Sequence, residues 1–158
     1  MSGEIYLTRA GHQKLAEELE GLKKERVRIS RAIEEARHQG DISENAEYDA
    51  AKDAQAHNGA RIAGLENKLA AVRIIEDEDI PSDKIYIGAI VTLQDLDTDE
   101  KFKYMMVSAE EADYEENKIS IISPIGQGLM GQAAGIEVKV KVPAGMLHYK
   151  ILKIERPK

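Results

Sequence analysis

The sequence predicts an α+β chain: an N-terminal antiparallel two-helix coiled-coil arm over residues 1–76, a linker at 77–84, and a bent antiparallel β domain with a short helix over 85–158. Three observations carry this. From Thr8 to about Ile75 the chain is rich in Ala, Glu, Lys, Leu and Arg, whereas from Ile85 onward Ile, Val, Gly and Tyr arrive in short runs. Between them, EDEDIPSDK (76–84) joins an acidic run to Pro81 with no apolar period. Finally, 158 residues with one Phe, no Trp and 32% charged side chains cannot fill a thick core, so an elongated part with much exposed helical surface is expected.

The first helix is expected to start at Thr8, whose hydroxyl can accept an orphan backbone N–H, and to run to about Gln39, where Gly40 stops it. Its apolar positions Leu15, Leu19, Leu22, Ile29, Ile33 and Ala36 follow 4-3 spacing with one polar interruption at Arg26, the pattern of a coiled-coil seam. A second helix from about Ile42 to Val72 supplies the partner. Read backward from Val72, its seam runs Leu69, Leu65, Ile62, Asn58, Gln55, Ala51 and Tyr48, apolar near the joint and polar toward the tip. The very short connection at Gly40 forces the helices antiparallel, and about 30 residues at 1.5 Å rise make a rod of roughly 45 Å.

The second domain reads as short strands. They are KIYIGAIVTLQDL (84–96), KFKYMMV (101–107) after a turn at DTDE, KISIIS (118–123), IEVKVKV (136–142) and MLHYKILKI (146–154). PIGQGLMG (124–131) reads as a short helical turn or crossover rather than a strand. Its glycines spell neither a phosphate loop nor a dinucleotide fingerprint, because the following Lys-Ser/Thr and the βαβ setting are missing.

Composition excludes several function classes. A net charge of -7, with 12 basic and 14 acidic side chains in 1–76 and 10 and 15 in 77–158, argues against stable binding of duplex DNA by this chain alone. Without cysteine there is no disulfide framework, thiolate nucleophile or Cys-rich zinc site, and His12, His38, His57 and His148 are too dispersed for a ligand spacing. No cofactor of the free protein is expected. The first residues lack a basic stretch leading into an apolar run, and no segment approaches the roughly 20 apolar residues of a membrane span. A cytoplasmic protein without membrane contact is expected.

The most informative stretch is HQGDISENAEYDAAK (38–52), which places Asp41 and Glu44 three apart at the free end of the rod. Two readings compete there. Asp followed three residues later by Glu at a helix start is a capping box, with Asp41 as N-cap and Glu44 bonding back to an orphan N–H. Alternatively, the two carboxylates complete an oxygen set for Mg²⁺ held mainly by another protein, since two acids cannot close a six-oxygen shell. Tyr48 lies between the acids and the body of the rod. Arg37 and Lys52 approach the tip from opposite helices, where they can steady the hairpin or touch a nucleic-acid phosphate.

The chain resembles the bacterial Gre transcript cleavage factors, in their GreA type, over nearly its whole length. GDISENAEYDAAK resembles the family's tip block, RIAGLENKL (61–69) its returning helix, and EEAD (110–113) with KISIISPIGQGLMG (118–131) its C-terminal signature. The resemblance implies an FK506-binding-protein-like C-terminal domain that docks at the rim of the RNA polymerase secondary channel. It also implies a coiled coil that enters the channel and stimulates the polymerase's own cleavage of backtracked RNA. Asp41 and Glu44 then help hold a polymerase-bound Mg²⁺, Asn45 and Tyr48 support the tip, and Arg37 and Lys52 lie near the RNA 3′ end. Ser123, Pro124, Ile125 and Gly126 become the polymerase-facing segment. Two departures, Gly128 where Ala is common and Ile136 where an acid is common, leave the tip untouched.

Three alternatives stand beside this. A Gre-like inhibitor would occupy the channel without promoting cleavage, but such members depart from the tip block. A peptidyl-prolyl isomerase is suggested by fold analogy alone, and Phe102 with Tyr86, Tyr104, Tyr114 and Tyr149 furnish a proline pocket poorly. A structural coiled-coil dimer is disfavoured by the short tip loop and matching seams, which let one chain satisfy itself as a monomer.

Overall fold

The computed structural model describes residues 4–39 and 42–157, apart from the side chains of Gln39 and of Ile42 to Asn45. In order, the elements are β1 (Ile5–Leu7), α1 (Arg9–Gln39), α2 (Ile42–Ala70), β2 (Val72–Ile74), β3 (Ile90–Asp95), β4 (Lys101–Val107), β5 (Lys118–Ser120), α3 (Pro124–Leu129), β6 (Glu137–Val142) and β7 (Gly145–Glu155). Short 3-10 turns occupy Ile75–Asp77 and Tyr114–Glu116. The chain divides into two compact units, His12–Ala71 on one side and Met1–Gly11 with Val72–Lys158 on the other.

The helical unit is the expected antiparallel pair. Leu19, Leu22, Ile62 and Leu65 are buried against one another, with Leu15 and Leu69 packed beside them, and Arg26 is exposed where the apolar spacing breaks. Along α2 the seam positions Tyr48, Ala51, Gln55, Asn58, Ile62, Leu65 and Leu69 are buried or half-buried, while the described residues between them are exposed. A two-helix pair has only this stripe to remove from water, so each leucine in it carries a large share of the unit's stability. Asn58 interrupts the stripe: its Nδ2 donates to the Leu22 carbonyl at 3.1 Å, while its buried Oδ1 has no partner among the described residues.

The second unit holds a five-stranded sheet in the order β5-β4-β3-β7-β6, closed on one face by α3. Ile85, Val91, Leu93, Met106, Leu129 and Ile151 are fully buried in its core. The expected α+β form is present, with two differences of detail. The sheet is mixed, because β5 runs parallel to β4 with Met105 opposite Lys118. A register shift at Thr92/Leu93, between β3 and β7, adds one residue to β7 and bends the sheet.

The start of the chain and residues 72–74 also differ from expectation. Helix α2 ends at Ala70, and Val72, with Ile74, forms β2, which pairs in parallel with β1 through Ile5–Val72, Tyr6–Arg73 and Leu7–Ile74. Two β-branched residues flanking Arg73 favour a strand over another helical turn. Arg73 bridges Glu4 and Glu78. This pairing is why residues 5–7 and 72–74 fall in the second unit, whereas the expected division assigned them to the arm.

Helix α1 begins as its sequence predicts: the Thr8 hydroxyl accepts from the Gly11 N–H at 3.0 Å. The Thr8 hydroxyl in turn donates to Glu111, and the Thr8 N–H donates to the Glu111 Oε1 at 2.8 Å. The Glu111 side chain is only 6% exposed, and Lys118 Nζ stands 3.7 Å from it. A carboxylate at a helix start satisfies orphan donors and opposes the positive end of the helix dipole. It also explains Gly11, since a Cβ there would lie 2.6 Å from the Glu111 carboxyl carbon.

Replacing Glu111 by Gln sets an amide against the Thr8 N–H; the expected loss is about 1.5–3 kcal/mol in urea denaturation. Leu65→Ala opens a cavity in the seam and is expected to cost about 2–5 kcal/mol, read from the same titration followed by helical circular dichroism.

Candidate functional site

Two regions were singled out by the sequence, the arm tip and the segment around α3. At the tip, α1 closes with exposed Arg37 and His38, the latter with its Nε2 3.6 Å from Glu34 Oε1. Asp41 lies outside the described residues. Helix α2 includes Glu44 and Asn45, whose side chains also lie outside them. Farther along α2, Tyr48 is half-buried on the seam side, and Glu47, Asp49, Lys52 and Asp53 are exposed. Lys52 Nζ donates to Gln55 Oε1 at 3.1 Å, one turn on along the same helix. Tyr48 thus belongs to the packing of the arm, and Arg37 and Lys52 to its solvent-facing surface.

The α3 segment is built by local rules. Ser123 is the N-cap: its Oγ accepts from the Gly126 N–H at 3.0 Å and donates to the Ser120 carbonyl at 2.7 Å. Pro124 follows in the first turn, where a missing N–H costs nothing. Ile125 packs against the sheet core, and Gly126 is buried where α3 meets β5. A Cβ at Gly126 would lie 2.0 Å from the Ser120 carbonyl oxygen, so only glycine permits this approach. Of the four residues, only Pro124 is exposed. Its neighbour Ile122, 64% exposed, is the large apolar surface of this segment. Strand-like alternation in KISIIS does not distinguish Ile122 from its buried neighbours, so the sequence gives no warning of it.

Among the described residues no group of three or more His, Asp or Glu could hold a metal ion, and no helix is long and apolar enough to cross a membrane. The sheet's aromatics fill their own space: the Phe102 ring lies 6.0 Å from that of Tyr104 and 6.4 Å from that of Tyr149. Burial, with nearby Tyr114 adding to it, pushes the Tyr104 phenol up. Burial does the same at Tyr149, helped by Tyr104 and Asp95. Both stay neutral packing groups through the ordinary pH range.

Gly126→Ala is expected to destabilise the second unit by about 1–3 kcal/mol, because the added methyl forces α3 off β5. Urea denaturation followed by tyrosine fluorescence reads this, and an unchanged midpoint would contradict the close approach.

Comparison with known proteins matches residues 5–74 to the N-terminal part, and residues 80–156 to the C-terminal part, described for transcription elongation factor GreA/GreB. Transcription elongation factor GreA of Chloroherpeton thalassium is 47% identical over 156 residues, covering 98% of this chain and 99% of the relative. The protein of that name from Magnetococcus marinus is 46% identical over 155 residues, with 98% and 99% covered. Among solved structures, the GreA factor homolog 1 (Gfh1) protein of Thermus thermophilus is 28% identical, covers 96% of this chain and 99% of its own, and superposes with a TM-score of 0.45. With both halves matched in order and relatives this similar across their full length, the chain belongs to the GreA/GreB family of transcription elongation factors, and within it to the GreA type.

Proposed function

We propose that this chain is an accessory factor that binds RNA polymerase, inserts its coiled-coil arm into the secondary channel and stimulates the polymerase's intrinsic cleavage of backtracked RNA. Cleavage releases a short 3′ fragment and rescues arrested complexes. The observation that carries the reading is the acid pair Asp41 and Glu44 within GDISENAEYDAAK, at the connection between two long helices in a chain of this family.

The acids fit a hard divalent cation by their chemistry. Carboxylate oxygens suit Mg²⁺, and two of them leave most of a six-oxygen shell for the polymerase, its substrate phosphates and water. The polymerase-held Mg²⁺ supplies stabilisation of charge on the phosphoryl oxygens and activation of water. This chain's part is to bring Asp41 and Glu44 to that place and hold them there. Capping at the start of α2 serves the second task, since a carboxylate bonded through one oxygen to backbone N–H groups has its rotamer fixed while the other oxygen faces outward. Tyr48, half-buried in the seam, and Asn45 support the tip. Exposed Arg37 and Lys52 are placed to meet phosphates at the RNA 3′ end.

Docking at the channel rim is assigned to the α3 segment. Ser123, Ile125 and Gly126 shape it from within, and Pro124 with Ile122 offers the contact surface. An exposed apolar residue beside a rigid capped turn has the form of an interface anchor. The factor acts as a monomer, in the cytoplasm, without a cofactor of its own.

The test is RNA cleavage by purified polymerase on a stalled, backtracked complex. Asp41→Ala and Glu44→Ala should each reduce stimulated cleavage by at least tenfold while polymerase binding changes less than twofold. Undiminished cleavage by both variants would overturn the assignment, and binding without any stimulation by the unaltered chain would favour a channel-blocking inhibitor.

A further inference from the structure

The outer face of the five-stranded sheet carries a charge pattern that the proposed function does not use. Directly opposed residues in an antiparallel ladder share a face, and residues two apart along a strand do so too. The pairings Lys101–Gln94–Lys150–Glu137 therefore form one row across β4, β3, β7 and β6. Lys103–Thr92–Lys153 form a second row, and Lys139–His148 and Lys141–Met146 extend the face toward the β6–β7 turn. The opposite face carries Val91, Leu93, Val138, Val140 and Ile151 into the core.

Six of the ten basic residues in 77–158 thus stand on this face, against only two of its fifteen acids, Glu137 and Glu155. A domain of net negative charge has one cationic side. All six lysines are exposed. Glu155 lies 3.7 Å from Lys103 and 3.6 Å from Lys153, and Glu137 lies 3.7 Å from His148. Lys101, Lys139, Lys141 and Lys150 have no ion-pair partner among the described residues. The acids Asp97, Asp99 and Glu100 border the face in the β3–β4 turn, where Asp95 Oδ1 accepts from the N–H groups of Asp97 and Thr98.

We propose that this face makes a weak, sequence-independent contact with the phosphate backbone of duplex nucleic acid. Three features favour that occupant over an acidic protein. Lysine is a point charge suited to phosphate and is depleted at protein–protein interfaces, where Arg and aromatics dominate. No Arg, Phe, Tyr or Trp occupies an outward position of β3, β4, β6 or β7, and the one imidazole there, His148, lies beside Glu137. The same lack of aromatics removes the stacking platform that single strands require. Four lysines without an ion-pair partner among the described residues are few, so the contact is weak and matters most beside nucleic acid already held nearby.

The experiment uses the full chain, without polymerase, and a fluorescein-labelled duplex of mixed sequence in an anisotropy titration from low to moderate salt. Counterion release gives a slope of log K against log salt of about -0.9 per phosphate contacted. Four contacts predict a fall in affinity of about 10²-fold between 50 and 200 mM salt. Replacing Lys101, Lys139, Lys141 and Lys150 together by Gln should abolish low-salt binding or flatten the slope by about 3–4, with an unaltered thermal midpoint. Replacing Lys23, Lys24 and Lys68 on the arm by Gln should leave both binding and slope intact. Equal binding and slope for the sheet variant would overturn the proposal, as would loss confined to the arm variant. A third result would also overturn it: no duplex binding by the unaltered chain even at low salt. None of these outcomes depends on cleavage, so the tip assignment stands or falls separately.

Discussion

A pair of helices has one seam, and the properties of the arm depend on how that seam is filled. In a thicker domain a residue lost from one layer is partly covered by others; here the facing helix is the main cover. The well-buried contacts Leu19, Leu22, Ile62 and Leu65 cluster toward one end. Beyond them come Asn58, Gln55, Ala51 and Tyr48 on α2, facing an α1 whose next well-buried residue is Ile33. Cohesion is therefore graded, strongest near the chain ends of the hairpin and weakest toward its tip. Toward that end Tyr48 is the half-buried seam position on α2. Asn58 fits the same logic. A buried amide bonded to the Leu22 carbonyl costs stability relative to leucine, yet it disfavours any sliding that would leave the amide unpaired.

The long helix also needs a defined beginning, and it has one that local sequence alone could not supply. Thr8 caps α1 in the ordinary way, but the carboxylate behind it comes from Glu111, 103 residues later. Removing a carboxylate from water is costly unless several donors replace the water. Thr8 N–H, the Thr8 hydroxyl and the Lys118 ammonium do so together, with Gly11 leaving room. The EEAD stretch therefore has a structural duty, and its Glu111 is held by the helix it caps.

Most of the architecture was legible because it rests on periods. The 4-3 spacing located both helices and nearly every buried position in them, and alternation located β4, β6 and β7. What escaped depends on pairing between distant segments. Val72 satisfies the helical spacing as well as a strand, and only Ile5–Leu7 alongside it decides between the two. The parallel run of β5 beside β4 leaves no trace in the six residues KISIIS. At the candidate site, PIGQGLMG was readable as a short helical turn, because Pro and Gly act on their own backbone. The exposure of Ile122 was not, since it depends on which side of a turn faces the sheet. Asp41 and Glu44 were visible as a motif, while their geometry lies outside the described residues.

Net charge says nothing of how the charges are distributed over the surface. A total of -7 speaks against a broad nucleic-acid surface only if the charges are mixed. A sheet sorts residues by parity, so alternation that buries Val138 and Val140 necessarily brings Lys139 and Lys141 to one side. The same holds on β4 and β7, and the bulge at Thr92/Leu93 keeps Lys153 in line with Lys150 by absorbing one residue. At physiological salt, charges farther apart than about 8 Å are largely screened from one another. A ligand at the sheet face therefore responds to the nearby lysines far more than to the acids of the 76–84 joint or the Tyr114–Glu116 turn. A cationic face can therefore act on a ligand although the chain as a whole is acidic.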